Sequence, residues 1–101
     1  MKFSALVVAR NEEARLEACL APLAAADELV VVLDRTTDGS RAIAEKLGAR
    51  VIEGAWPVEG ARRNAGLEAA TGGWILEVDA DEVAPPELIA EIRRVIATSP
   101  H

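Results

Sequence analysis

The sequence predicts an α/β domain: an open, mainly parallel sheet with helices on both faces. Three observations predict it. Residues 3–9 and 28–33 are nearly continuous apolar runs, as expected of strands covered on both sides. Each run is followed by apolar positions at helical spacing. The links between them hold the usual few residues, so strand and helix alternate along the whole chain.

Phe3-Ser4-Ala5-Leu6-Val7-Val8-Ala9 is the first strand. Asn11 suits the N-cap of the helix that follows, with Glu12 and Glu13 in its first turn. Leu16, Cys19, Leu20 and Leu23 form its apolar stripe. Glu28 to Leu33 is the second strand, ending at Asp34. Thr36-Thr37-Asp38-Gly39-Ser40 is a polar turn, with Thr37 and Asp38 as turn and cap residues; a helix through Ile43, Ala44 and Leu47 follows, closed by Gly48. Residues 49–52 make a short third strand, and Glu53 to Gly60, with Gly54, Trp56 and Pro57, is a crossing loop. Ala61 to Ala70 reads as a third helix, stopped by Thr71-Gly72-Gly73. Trp74 to Val78 is the fourth strand, expected to be buried from its apolar content. Pro85-Pro86 start a last helix with Leu88, Ile89, Ile92, Val95 and Ile96 on its stripe, and His101 reads as a solvated terminus without a role.

Composition narrows the function classes. The 101 residues suffice for one domain, spanning 1–101. Hydrophobic residues at 50% and charged residues at 28% describe a folded chain, and aromatics at 3% leave the core to Val, Leu, Ile and Ala. A net charge of −6 argues against nucleic acid as a partner, which needs Lys and Arg against phosphate. Cys19 is the single cysteine and reads as a small buried hydrophobe, so a reducing, cytoplasmic setting is expected. No apolar run reaches the ~18 residues of a bilayer span. Met1-Lys2-Phe3 opens directly into a strand with no signal-peptide pattern. Peripheral membrane contact stays open, although no basic amphipathic helix supplies it.

The stretch Trp74-Ile75-Leu76-Glu77-Val78-Asp79-Ala80-Asp81-Glu82 carries the chemistry. A strand runs into three carboxylates where the chain should leave the sheet. Asp79 and Asp81, one small residue apart, can aim at one point. Mg²⁺ and Mn²⁺ take oxygen ligands, and Mg²⁺ keeps waters and substrate phosphates in its shell, so two carboxylates suffice. Alone, an Asp-x-Asp also fits a solvated turn before a helix. Ligands of open parallel sheets bind beyond the carboxyl ends of the strands, and that rim also collects Arg10, Asn11, Asp34, Arg62 and Arg63. Carboxylates, guanidiniums and helix N-termini together suit a nucleoside diphosphate with a metal.

Four segments in register resemble a known family. Val7-Val8-Ala9-Arg10-Asn11-Glu12-Glu13, Val31-Val32-Leu33-Asp34 with Thr37-Asp38-Gly39-Ser40, Ala61-Arg62-Arg63-Asn64-Ala65-Gly66 and the Trp74–Glu82 stretch look like successive motifs of the family 2 glycosyltransferases. The resemblance implies a Rossmann-like, nucleotide-diphospho-sugar transferase fold of the glycosyltransferase A type, truncated here to its nucleotide-sugar-binding half. It implies inverting transfer of a sugar from a nucleotide-diphosphate sugar, usually a UDP-sugar, to an acceptor hydroxyl. Ala9 and Arg10 fall where the family lines the nucleobase pocket, and Asp34 where a carboxylate reads the base. Arg63 lies in the segment bordering base and phosphates. Asp79 would touch ribose or metal, and Asp81 would bind Mn²⁺ or Mg²⁺ on the diphosphate, as the DXD motif of the family does.

The chain also departs from the pattern. Val8 and Arg10 stand where the family often has Pro and Tyr, and the loop after Asp34 is one residue shorter. The acceptor-binding half and its general base are expected beyond the DXD motif, which lies about twenty residues before the last residue given. Glu82, Glu87 and Glu91 read as first-turn and exposed helix acids. Two alternatives follow: a non-catalytic nucleotide- and metal-binding module, or a fragment completed by a partner or a second copy at an apolar edge beside the fourth strand. Contact with an acceptor glycan or lipid is left open by either. A nucleotidyltransferase is disfavoured, because Arg10-Asn11-Glu12-Glu13 lacks the glycines of a phosphate loop.

Overall fold

Strand and helix alternate without a break. A computed structural model describes residues 2–98, so the expectation for His101 lies outside the described residues. The elements are β1 (Phe3–Ala9), α1 (Glu13–Leu23), β2 (Glu28–Asp34), α2 (Ser40–Lys46), β3 (Arg50–Gly54), α3 (Glu59–Ala69), β4 (Trp74–Asp79) and α4 (Pro86–Thr98). The strands form one sheet in the order β3-β2-β1-β4, and all three pairings are parallel. Order reverses between β1 and β4, which is the switch point where such sheets open a crevice. Val8 pairs with Asp79 at that point.

The two faces are covered as the apolar runs predict. Phe3, Ala5, Val7, Leu29, Val31 and Leu33 pack against Leu16, Cys19, Leu20 and Leu23 of α1, with Ala44 of α2 and Ile89 and Ile96 of α4 on the same side. Leu6, Val30 and Val32 point the other way, against Leu67 and Ala69 of α3 and against Trp56. Each fully buried leucine contributes roughly 1.5–3 kcal/mol relative to exposure. Gly48, with φ +81°, takes the left-handed position just after α2 that glycine adopts without a Cβ clash.

Two local expectations are corrected. β4 is not a buried strand: it lies at the sheet edge, where Trp74, Leu76 and Val78 are half-buried and Ile75, Glu77 and Asp79 are exposed. Its apolar content matches that of β1, but only β1 has a strand on either side. Asn11 does not cap α1 either. It sits in the left-handed region at φ +52°, and its Oδ1 accepts from the Thr37 backbone N–H at 2.8 Å. The cap comes from across the sheet rim: Asp38 Oδ2 accepts from Glu13 N at 3.1 Å, while its Oδ1 accepts from Ser40 N at 3.0 Å. One carboxylate thus serves the first turns of both α1 and α2, which lowers the Asp38 pKa, first through Ser40.

Candidate functional site

Asp34 ends β2 on the α3 face, with a side chain only 1% exposed. A buried carboxylate needs partners, and this one takes four hydrogen bonds from three residues. Arg35 donates from Nε to Oδ1 at 3.0 Å and from Nη2 to Oδ2 at 3.1 Å. The Trp56 backbone N–H donates to Oδ1 at 3.1 Å, and Arg62 Nη1 to Oδ2 at 2.9 Å. These bonds, those of Arg35 first, hold the Asp34 carboxyl far below the usual carboxylate range against its desolvation.

Arg63, the next residue of α3, faces β4. Its guanidinium forks onto Glu77, with Nη2 2.6 Å from Oε1 and Nε 2.8 Å from Oε2. The contact lowers the Glu77 pKa and raises that of Arg63. Val8, Gly60, Arg62, Arg63, Glu77 and Asp79 line an open cleft of about 270 Å³ at the switch point. Both guanidiniums and one carboxylate of the expected pair therefore border one cavity. A second groove, apolar and of about 240 Å³, lies between β4 and α4, away from these charges.

Asp79 is the last residue of β4, and Asp81 follows in a turn closed by the Glu82 N–H donating to the Asp79 carbonyl at 2.9 Å. Glu82 Oε1 accepts from Asp79 N in return at 3.2 Å. Both Asp79 and Asp81 are exposed, whereas Ala80 between them is buried, so the turn is anchored by its middle residue. From below, the Cys19 thiol donates to the Asp79 carbonyl at 3.4 Å. Burial, and then the charges of Glu82, Asp81 and Asp79, push this thiol up to about 11. Among the described residues no three His, Cys, Asp or Glu side chains gather as a metal cage. Two acids at a rim match in kind the oxygen donors that Mg²⁺ takes when phosphate oxygens and water complete its shell.

Of the residues singled out from sequence, Arg63 and Asp79 line the cleft, Asp34 stands behind Arg62, and Asp81 lies in the adjoining turn. Ala9 is buried at the end of β1, and Arg10 is exposed just beyond it. Arg62 was collected at the rim with Arg63 but given no role of its own, while Arg35, Trp56 and Glu77 hold the site together without having been singled out as site residues. Arg62 carried a signal: it lies four residues before Gly66, on the helix face that packs against the sheet.

Comparison with known proteins adds four findings. The sequence model of the family "Glycosyl transferase family 2" matches residues 4–101. An uncharacterized glycosyltransferase of Rickettsia felis is 36% identical over 98 residues, which cover 96% of this chain and 35% of that protein. The chain thus spans about a third of the length of that relative. Among solved structures, S. aureus TarS 1-349 in complex with UDP superposes with a TM-score of 0.79 at 29% identity, covering 96% of this chain and 32% of that 1-349 chain. Glucosyl-3-phosphoglycerate synthase from Mycobacterium tuberculosis, in complex with Mn²⁺, UDP and glucosyl-3-phosphoglycerate, gives 0.80 at 25% identity, covering 98% and 40%. The expected α/β sheet and the expected family are both borne out.

Proposed function

The chain belongs to the family 2 glycosyltransferases, and on that premise we propose that it is the donor-binding part of an inverting enzyme that moves a sugar from a UDP-sugar to an acceptor hydroxyl. The single observation that carries this reading is the switch-point cleft, where Arg62, Arg63 and Asp79 face one cavity at the carboxyl ends of β1 and β4. In the proposal, residues 1–101 form one nucleotide-sugar-binding domain. Ala9 and Arg10 border the base, Asp34 reads it, and Arg63 turns from Glu77 to the diphosphate, which its planar fork suits. Asp79 meets the ribose or the cation, and Asp81 holds Mn²⁺ or Mg²⁺. When bound, that cation would supply charge stabilisation at the departing diphosphate. The chain's own residues orient the donor. The general base and acceptor contacts are assigned to the longer protein that the relatives represent.

A cytoplasmic setting belongs to the same proposal, supported by a lone buried thiol. Among the described residues no helix is long and apolar enough to cross a membrane. A second reading, a nucleotide- and metal-binding module completed by another body, is favoured by one observation. β4 is an edge strand, and Ile75, Val83 and Val95 are exposed on it and in the segments that follow.

Calorimetric titration with UDP, GDP and dTDP, with and without Mn²⁺, tests the donor site. Mn²⁺-dependent UDP binding that Asp81→Ala abolishes is the expected result. Binding to no nucleotide would sink the reading.

A further inference from the structure

We propose that Arg35 is a latch over the base-reading carboxylate of Asp34, which a nucleotide must open to bind. The inference rests on the donor-site reading above and goes beyond it. An ionised carboxylate offers about four lone-pair sites. At Asp34 all four are filled: Oδ1 takes Arg35 Nε and Trp56 N, and Oδ2 takes Arg35 Nη2 and Arg62 Nη1. A base edge that presents an N–H donor finds no acceptor there until one partner leaves.

The three partners are not equally free to leave. The Trp56 N–H belongs to the backbone of the loop that packs Trp56 against the cluster of Leu6, Val30 and Val32. Arg62 is only 21% exposed and rides on α3, which Gly66 seats against the sheet. Arg35 has a side chain 42% exposed, beyond the end of β2. Its backbone is fixed independently, with Arg35 N donating to the Gly54 carbonyl at 2.8 Å. The side chain can therefore swing out while the main chain stays in place. The backbone at φ +50° is a conformation that non-glycine residues rarely adopt, and it is what turns the fork back onto the preceding residue. With Arg35 released, each Asp34 oxygen regains one lone pair, while Trp56 and Arg62 keep the charge compensated.

The test is calorimetric titration of UDP with Mn²⁺ into wild type, Arg35→Ala, Arg35→Lys, Asp34→Asn and the Arg35→Ala/Asp34→Asn double variant, with circular dichroism of each. Opening a half-exposed ion pair should tighten UDP binding by roughly two- to fivefold in Arg35→Ala. Arg35→Lys should gain less; its ammonium cannot fork onto both oxygens but still pairs with the charge. The gain should vanish in the Asp34→Asn background. Wild-type binding with an equal or weaker Arg35→Ala and Arg35→Lys overturns the latch and leaves the donor site standing. Binding by none of the five proteins overturns both.

Discussion

Arg62 Nη1 stands 2.9 Å from Asp34 Oδ2, which ties the first turn of α3 to the last residue of β2. The contact depends on how closely α3 approaches the sheet. Gly66 lies one turn further along the same helix face, and a Cβ there would meet Leu6 Cδ1 at 2.5 Å and Val32 Cγ2 at 2.9 Å. Both neighbours are fully buried, so neither can give way cheaply. Gly66→Val is expected to destabilise the protein by about 1–3 kcal/mol through overpacking. It should also lift Arg62 away from Asp34 and weaken UDP binding. A urea midpoint equal to wild type would show that the close approach at Gly66 does not hold the helix.

Asp34 also links stability to pH. A native carboxyl pKa below the unfolded value means that the unfolded chain takes up the proton first. The stabilisation is complete above the unfolded value of about 4 and is lost as pH falls below it. Asp27, Glu28, Asp38 and Glu77 are shifted the same way and add to the same acid limb. Thermal denaturation from pH 7 to pH 2 should therefore show a falling melting temperature that begins near pH 4. Asp34→Asn should lower the neutral plateau and flatten part of that fall. An unchanged slope would remove Asp34 as a source of acid sensitivity.

These two effects belong to parts of the chain that were unequally legible in its sequence. β1 and β2 were legible because a continuous apolar run has one natural home, between covered faces. β4 has a similar composition, and what separates it is strand order, which no local window contains. Glu77 and Asp79, alternating with Leu76 and Val78, hinted that one face is open, but apolar Ile75 breaks the pattern although it too is exposed. The capping of α1 was illegible for another reason: its acceptor, Asp38, lies 25 residues after Glu13. Arg35 is the extreme case. It follows Asp34 directly, yet the two meet only because its backbone turns left-handed against Gly54. The family motifs pointed to Asp34, Arg63, Asp79 and Asp81 as residue types, but the partners that orient them come from tertiary contacts.

Arg63 and Glu77 separate stability from binding. Their forked pair is strong in geometry but solvent-exposed, with side chains 55% and 39% accessible. Exposed pairs contribute little to folding, so Arg63→Ala should leave the urea midpoint close to wild type. Diphosphate affinity is a different matter, since Arg63 lines the cleft. Titration of Arg63→Ala with UDP should show binding at least tenfold weaker, while Glu77→Ala, which frees the guanidinium, should bind as well as wild type or better. Equal affinity in Arg63→Ala would confine this residue to the surface of α3.

Cys19 holds the acidic turn from beneath. Its thiol is fully buried in the middle of α1 and donates to the carbonyl of Asp79, the same oxygen that the Glu82 N–H uses to close the turn. Only a thiolate reacts with alkylating reagents, and here burial and three nearby carboxylates all disfavour it. Iodoacetamide at pH 8 should therefore leave the native protein untouched and modify it in step with global unfolding as urea is raised. Cys19→Ala removes one buried group and one weak hydrogen bond, at a cost of about 1 kcal/mol. If the thiol also sets the turn, Cys19→Ala should weaken Mn²⁺-dependent UDP binding while leaving any metal-free binding unchanged, and Cys19→Ser should restore part of it by donating to the same carbonyl. Rapid alkylation of folded protein would contradict the burial of Cys19. Full Mn²⁺ dependence in Cys19→Ala would limit its part to packing.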